Sequence, residues 1–122
     1  MAGHIKIYRE QYENLPERFQ KKLEQDLQYL MDAKISGLKK IYLFGSCARC
    51  EVRSTSDIDL LIVTEDRLED RMLASNIRWT LDEAMEGVRT DVVYTHENAE
   101  ISSYTFCKAV EQDKKLVMEV TE

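Results

Sequence analysis

Asp57 and Asp59 stand two residues apart at the head of the apolar run Leu60-Leu61-Ile62-Val63, and a Gly45-Ser46 pair closes an earlier apolar run, Ile41-Tyr42-Leu43-Phe44. On a strand, residues two apart share a face with Cα atoms about 6.5–7 Å apart. Both carboxylates can therefore meet one divalent cation, or two cations about 3.5–4 Å apart. Magnesium takes oxygen ligands and keeps several waters, so two carboxylates plus substrate phosphates make a reasonable shell. Gly45 has no side chain and lets phosphate approach the backbone. Ser46 offers a hydroxyl and an amide, and a short helix expected just after it would favour an anion at its N-terminus. One half of the motif thus suits a metal and the other a polyphosphate. An Asp-x-Asp alone is common at strand ends, and a lone Gly-Ser is mostly a turn; the argument rests on their combination.

The elements that must position these residues can be read from periodicity. Asn14-Leu15-Pro16-Glu17 reads as a helix start, with Asn as cap and Pro in the first turn. Phe19, Leu23, Leu27, Leu30 and Met31 follow at helical spacing, and Gly37 is the expected stop, giving a helical segment over about 14–36. Strands are expected over 40–44, 58–64 and 91–95, the second buried on both faces because its apolar run is continuous. A helix from about Leu68 to Glu86 carries Leu73, Ile77, Leu81, Ala84, Met85 and Val88 along one side, with Gly87 as its stop. A last helix is expected over about 98–112. Residues 115–120 fit either a short edge strand or a helical turn, and the first thirteen residues are ambiguous. The order is that of an α/β chain, a single domain spanning 1–122 with its core over about 38–95.

The whole chain sets bounds on function. Its 122 residues suffice for one core. With 17 basic and 23 acidic residues the net charge is −6, which makes a poor generic nucleic-acid binder and requires a phosphate substrate to arrive with metal. The opening residues lack a long apolar core and no run approaches the roughly 20 residues that span a bilayer, so a soluble, cytoplasmic protein is expected. Three cysteines are too few for a disulfide framework.

Gly45, Ser46, Ala48, Arg49, Ser56, Asp57 and Asp59 resemble, at the same spacing, the motif of the nucleotidyltransferase superfamily that includes DNA polymerase beta: Gly-Ser-x-Ala-Arg-Gly, five variable residues, then Ser-Asp-x-Asp. The chain is most similar to the minimal nucleotidyltransferases, or MNT domains, over about 38–94. The resemblance implies a small mixed α+β sheet flanked by helices. It also implies a third carboxylate on a later strand, supplied by Asp91 in Thr90-Asp91-Val92-Val93-Tyr94, as a base for the attacking hydroxyl or a third metal ligand. Read by itself, Asp91 could equally begin a strand or pair with Arg89. The family glycine after Arg49 is Cys50 here, which puts the phosphate grip in question and leaves the metal site untouched. Arg49 has two readings, contact with the triphosphate or bracing of the turn through an acidic neighbour.

Other combinations are weaker. Cys47-Ala48-Arg49-Cys50 could be a redox pair or half a zinc site, but no second such pair exists, and the phosphate loop accounts for the position. Arg89 and His96 have the spacing of a HEPN ribonuclease motif, which lies on a helix, whereas a strand is expected here. Trp79 is expected to pack rather than to stack on a base, and the charges of 17–34 to form a solvated face.

The resemblance implies transfer of a nucleoside monophosphate from a magnesium-bound nucleoside triphosphate, with ATP expected, onto a hydroxyl. Asp57, Asp59 and Asp91 are the expected catalytic and metal-binding residues, and Gly45, Ser46, Arg49 and Ser56 the nucleotide-binding ones. Relatives that carry their own acceptor domain are longer, so the acceptor is expected to come with a partner protein or a second copy. Minimal nucleotidyltransferases are often antitoxins paired with HEPN toxins, in some cases attaching AMP to a toxin tyrosine. The alternatives are a module that binds nucleotide or partner without catalysis, and transfer to a small molecule.

Overall fold

The computed structural model describes residues 4–49, 51–53, 55–97 and 114–121. Five strands form one mixed sheet: β1 (His4–Ile7), β2 (Leu38–Phe44), β3 (Ile58–Thr64), β4 (Thr90–His96) and β5 (Lys115–Thr121), in the order β1-β5-β2-β3-β4. Only β3 and β4 run parallel; every other pairing is antiparallel. Two helices, α1 (Glu17–Asp32) and α2 (Arg71–Asp82), complete the described residues, with a 3-10 turn at Arg9–Gln11.

Alternation along the strands decides which face is covered. Ile41 and Leu43 on β2, with Ile58, Leu60 and Ile62 on β3, are fully buried and join one core. The buried stripe of α1 (Phe19, Leu23, Leu27, Leu30) and the inner residues of α2 (Ile77, Leu81) belong to the same core, so both helices lie on this face. Their union removes the apolar surface that drives folding. The intervening residues of β3 and β4, Asp59 and Asp91 among them, point to the other face.

Local chemistry sets the ends. Pro16 itself occupies the N-cap of α1, its carbonyl accepting from the amides of Phe19 and Gln20 at 2.9 and 3.1 Å; no side chain caps this helix, so Asn14 does not play the expected part. The helix stops at Asp32, before Gly37, because Lys34 already turns left-handed (φ 52°). Asp70 caps α2 by accepting from the Leu73 amide at 3.0 Å, which starts the helix later than Leu68. It ends at Asp82, short of Glu86, because a Met85–Val88 bridge with left-handed Glu86 and Gly87 closes a tight turn into β4. Tyr94 donates to the Ala74 carbonyl (2.9 Å) and Arg78 to that of Val92 (3.4 Å), tying α2 to β4.

Strand β3 has the expected limits, while β2 and β4 run slightly further than expected. β5 is a strand, and it sits inside the sheet between β1 and β2 rather than at an edge. The helix expected over about 98–112 lies outside the described residues.

Candidate active site

The strand ends bring the acidic residues together. β2 ends at Phe44, which pairs with Asp59 across the antiparallel ladder, and Asp59 pairs with Asp91 across the parallel one. Asp59 and Asp91 therefore share a face on neighbouring strands, about 5 Å apart at the backbone. Asp57 lies one residue before β3, exposed; Asp91 is exposed and Asp59 half-buried.

Gly45 is pressed against Asp59. It holds a left-handed φ of 73°, and a Cβ there would lie 3.3 Å from the Asp59 Cγ and closer still to its Oδ2. Glycine is required twice over, by conformation and by contact.

The connection from β2 to β3 is a self-bonded loop rather than the helix expected after Ser46. The Arg49 amide donates to the Gly45 carbonyl (3.2 Å) and that of Glu51 to the Ser46 carbonyl (2.9 Å), so single turns replace a continuous helix. The helix-terminus contribution to anion binding falls away, because these two amides are spent on carbonyls of the loop itself. Cys47 and Ala48 are buried beneath the loop. The Cys47 thiol points to the Asp57 carbonyl at 3.5 Å, linking the Gly-Ser turn to the carboxylate segment. This is a structural use of Cys47, and Cys50 lies outside the described residues. The Ser56 hydroxyl accepts from the Arg53 amide at 2.8 Å, bracing the approach to Asp57. Arg49 pairs with Glu51 at 3.1 Å, the bracing role foreseen as one of its two readings, and its charge also reaches Asp59.

The electrostatics centre on Asp59. Burial first, then the charges of Asp91 and Asp57, push its carboxyl up to about 6, with Arg49 offsetting part of the effect. Like charges held together and only partly offset are what a cation relieves. The all-oxygen donor set suits magnesium. Among the described residues no three His, Cys, Asp or Glu side chains form a ready-made metal cage, so the carboxylates gather around Asp59 without closing.

A second charged group lies on the opposite face, at the same end of β4. Lys22, Asp26 and Thr90 are all buried. The Lys22 ammonium donates to Asp26, to the Leu81 carbonyl (2.9 Å) and to the Thr90 hydroxyl (3.1 Å), and that hydroxyl donates to Asp26. The expectation that the charges of 17–34 form a solvated face fails here: an i,i+4 Lys–Asp pair resembles a surface pair in sequence, and only the docking of α1 buries it. Trp79 departs the other way. It is 84% exposed on the outer side of α2, with Met72 at 76%, because Leu73, Ile77 and Leu81 take the inward positions. The Arg89 and His96 spacing falls on and beside β4, as a strand reading requires.

A family model for the polymerase beta nucleotidyltransferase domain matches residues 25–122. No curated protein matches the chain. A toxin–antitoxin structure with AMP-PNP is similar at 27% identity and a TM-score of 0.55, covering 76% of this chain and 70% of that one. A variant of the toxin–antitoxin pair MntA-HpeT is similar at 26% identity and a TM-score of 0.54, over 77% and 70%. A protein of Sulfolobus solfataricus shares the fold at 22% identity and a TM-score of 0.53, over 79% and 76%.

Proposed function

The chain belongs to the polymerase beta nucleotidyltransferase family, and from that membership we propose that it transfers AMP from magnesium-bound ATP onto a hydroxyl of a partner protein, as the antitoxin of a HEPN-type toxin–antitoxin pair in the cytoplasm. The observation that carries the reading is the register Asp59↔Asp91 with Gly45 pressed against the Asp59 carboxylate. Support for the partner and the nucleotide comes from the similar toxin–antitoxin structures, one of them with AMP-PNP.

Asp57, Asp59 and Asp91 would hold magnesium, which supplies charge neutralisation and polarises the phosphorus under attack. Gly45 and Ser46 receive the phosphates, the Ser46 amide and hydroxyl serving as donors. Arg49 can leave Glu51 to meet phosphate charge. Ser56 keeps Asp57 in place through the Arg53 amide. Asp91, exposed on the same face as Asp59, accepts the proton of the acceptor hydroxyl or completes the metal shell. The loop's internal hydrogen bonds hold these groups before substrate arrives, so their reorganisation cost is small.

The test is incubation with α-labelled ATP and magnesium, with and without the protein encoded beside this one. Label is expected on that neighbour, reduced by about a thousandfold in Asp59→Asn. Label that persists in Asp59→Asn, or that never appears on the neighbour although ATP binds, overturns the proposal.

A further inference from the structure

We propose that Thr90 is a positioning residue for the acidic site: its hydroxyl, held by Lys22 and Asp26 on the covered face of the sheet, fixes the strand register that stands Asp91 opposite Asp59 on the other. The proposal rests on the nucleotidyltransferase reading for the metal arm of its test only.

Adjacent strand residues point to opposite faces, so with Thr90 inward Asp91 must point outward. A slip of one residue against β3 would reverse every side chain of β4. Ahead of the strand, buried Val88 and exposed Arg89 already mark the two faces; within it the apolar residues say less. Val92 and Val93 are the same residue, while Tyr94 is held to the covered face by its hydrogen bond to the Ala74 carbonyl. At the first residues of β4, beside the acidic site, the pair Thr90 and Asp91 tells the faces apart.

The pocket that receives Thr90 is selective. An ammonium has three donors, and those of Lys22 go to Asp26, the Leu81 carbonyl and Thr90. Asp26 accepts from both Lys22 and Thr90. The pocket thus joins α1, the last turn of α2 and the first residue of β4. Asp26 already meets the Lys22 charge, so the remaining place suits a neutral hydroxyl. In the slipped register it would face Asp91, a second carboxylate beside Asp26 and buried. The Ile58 amide donates to the Arg89 carbonyl at 2.9 Å, so the ladder with β3 starts immediately before the clamp.

The experiment compares Thr90→Val and Thr90→Ser with the unmodified protein at a temperature where circular dichroism shows all three folded. Manganese affinity is read by water-proton relaxation, and exchange of the β3 and β4 amides by NMR. Thr90→Val is expected to bind manganese about tenfold more weakly with faster amide exchange across the β3–β4 ladder, and Thr90→Ser to stay within about twofold of the unmodified protein. A Thr90→Val protein that melts earlier yet keeps both manganese affinity and ladder exchange overturns the proposal and leaves Thr90 a stabilising residue alone. If the unmodified protein binds manganese no better than Asp59→Asn, the metal reading fails. Amide exchange then decides the positioning role alone: faster in Thr90→Val supports it, unchanged overturns it.

Discussion

Strand β4 opens with two charged clusters set back to back. On the covered face, Lys22, Asp26 and Thr90 satisfy one another in a closed network. On the other face, burial and then the charges of Asp91 and Asp57 raise the cost of ionising Asp59, and Arg49 only partly offsets it. Residues adjacent in sequence, Thr90 and Asp91, belong to different regimes. Where charge meets its complement in a dry site it helps specify the fold; where like charges are held together, ionising them costs more. Both conditions depend on one register, and changes on either side of the sheet can test the division.

The largest stability loss is expected on the covered face. Lys22→Met strands Asp26 in the core with the Thr90 hydroxyl as its remaining partner. Burial already pushes the Asp26 carboxyl upward against the lowering pull of Lys22 and Thr90. Breaking such a pair costs about 3–5 kcal/mol, while removing both charges is far milder. Urea unfolding should therefore show Lys22→Met well below the unmodified protein and Lys22→Met with Asp26→Leu recovering most of the difference. A double variant no better than the single would mean that the pair does not act as a unit.

Gly45→Ala should cost about 1–3 kcal/mol, from the left-handed backbone together with the clash against Asp59. The clash moves the Asp59 carboxylate, so metal affinity should fall as well. Loss of stability without loss of affinity would separate Gly45 from the site.

These two positions differ in how far the sequence reveals them. Gly45 is legible because its neighbours follow a spaced motif, and glycine before a carboxylate strand has few other uses. β3 was readable to its ends because a continuous apolar run has little choice but a central strand. The burial of Lys22 and Asp26 was not, since it depends on which side of α1 meets the sheet. The loop after Ser46 resembles a helix start in sequence because capping residues are also turn residues. β5 fitted two readings, and its central place comes from pairing with β1, whose four residues carry no decisive pattern.

Asp59 gives a smaller effect of opposite sign to the losses above. Its folded value of about 6 exceeds the ordinary 3.8, so the folded protein holds this proton more tightly than the unfolded chain does. The resulting stabilisation is complete below the unfolded value and is lost as pH rises through about 6. The shift corresponds to about 3 kcal/mol, reduced to about 1–2 kcal/mol by solvent screening of a half-buried group. Asp26 is shifted the same way, so the comparison must be a difference: metal-free Asp59→Asn should be more stable than the unmodified protein at pH 7 and lose that advantage by about pH 4. A gap independent of pH would remove like-charge strain from the account of the site.

The smallest effect belongs to Trp79, and it probes where the fold-holding face ends. α2 binds the sheet through Ile77 and Leu81 in the core and through Tyr94 and Arg78 at its flank. Trp79 lies on the outer side, about two helical turns from Met72. An 84% exposed ring has little contact to lose, and alanine is the better helix former. Trp79→Ala should thus change the unfolding midpoint by an amount equivalent to less than about 0.5 kcal/mol, whereas Ile77→Ala, four positions along the same helix axis from Leu81, should cost about 2–5 kcal/mol. A Trp79→Ala loss as large as that of Ile77→Ala would mean that the indole is covered in solution. The outer side of α2 would then join Lys22 and Asp26 among the surfaces that hold the chain together, and the separation between a stabilising face and a chemical one would no longer follow the sheet alone.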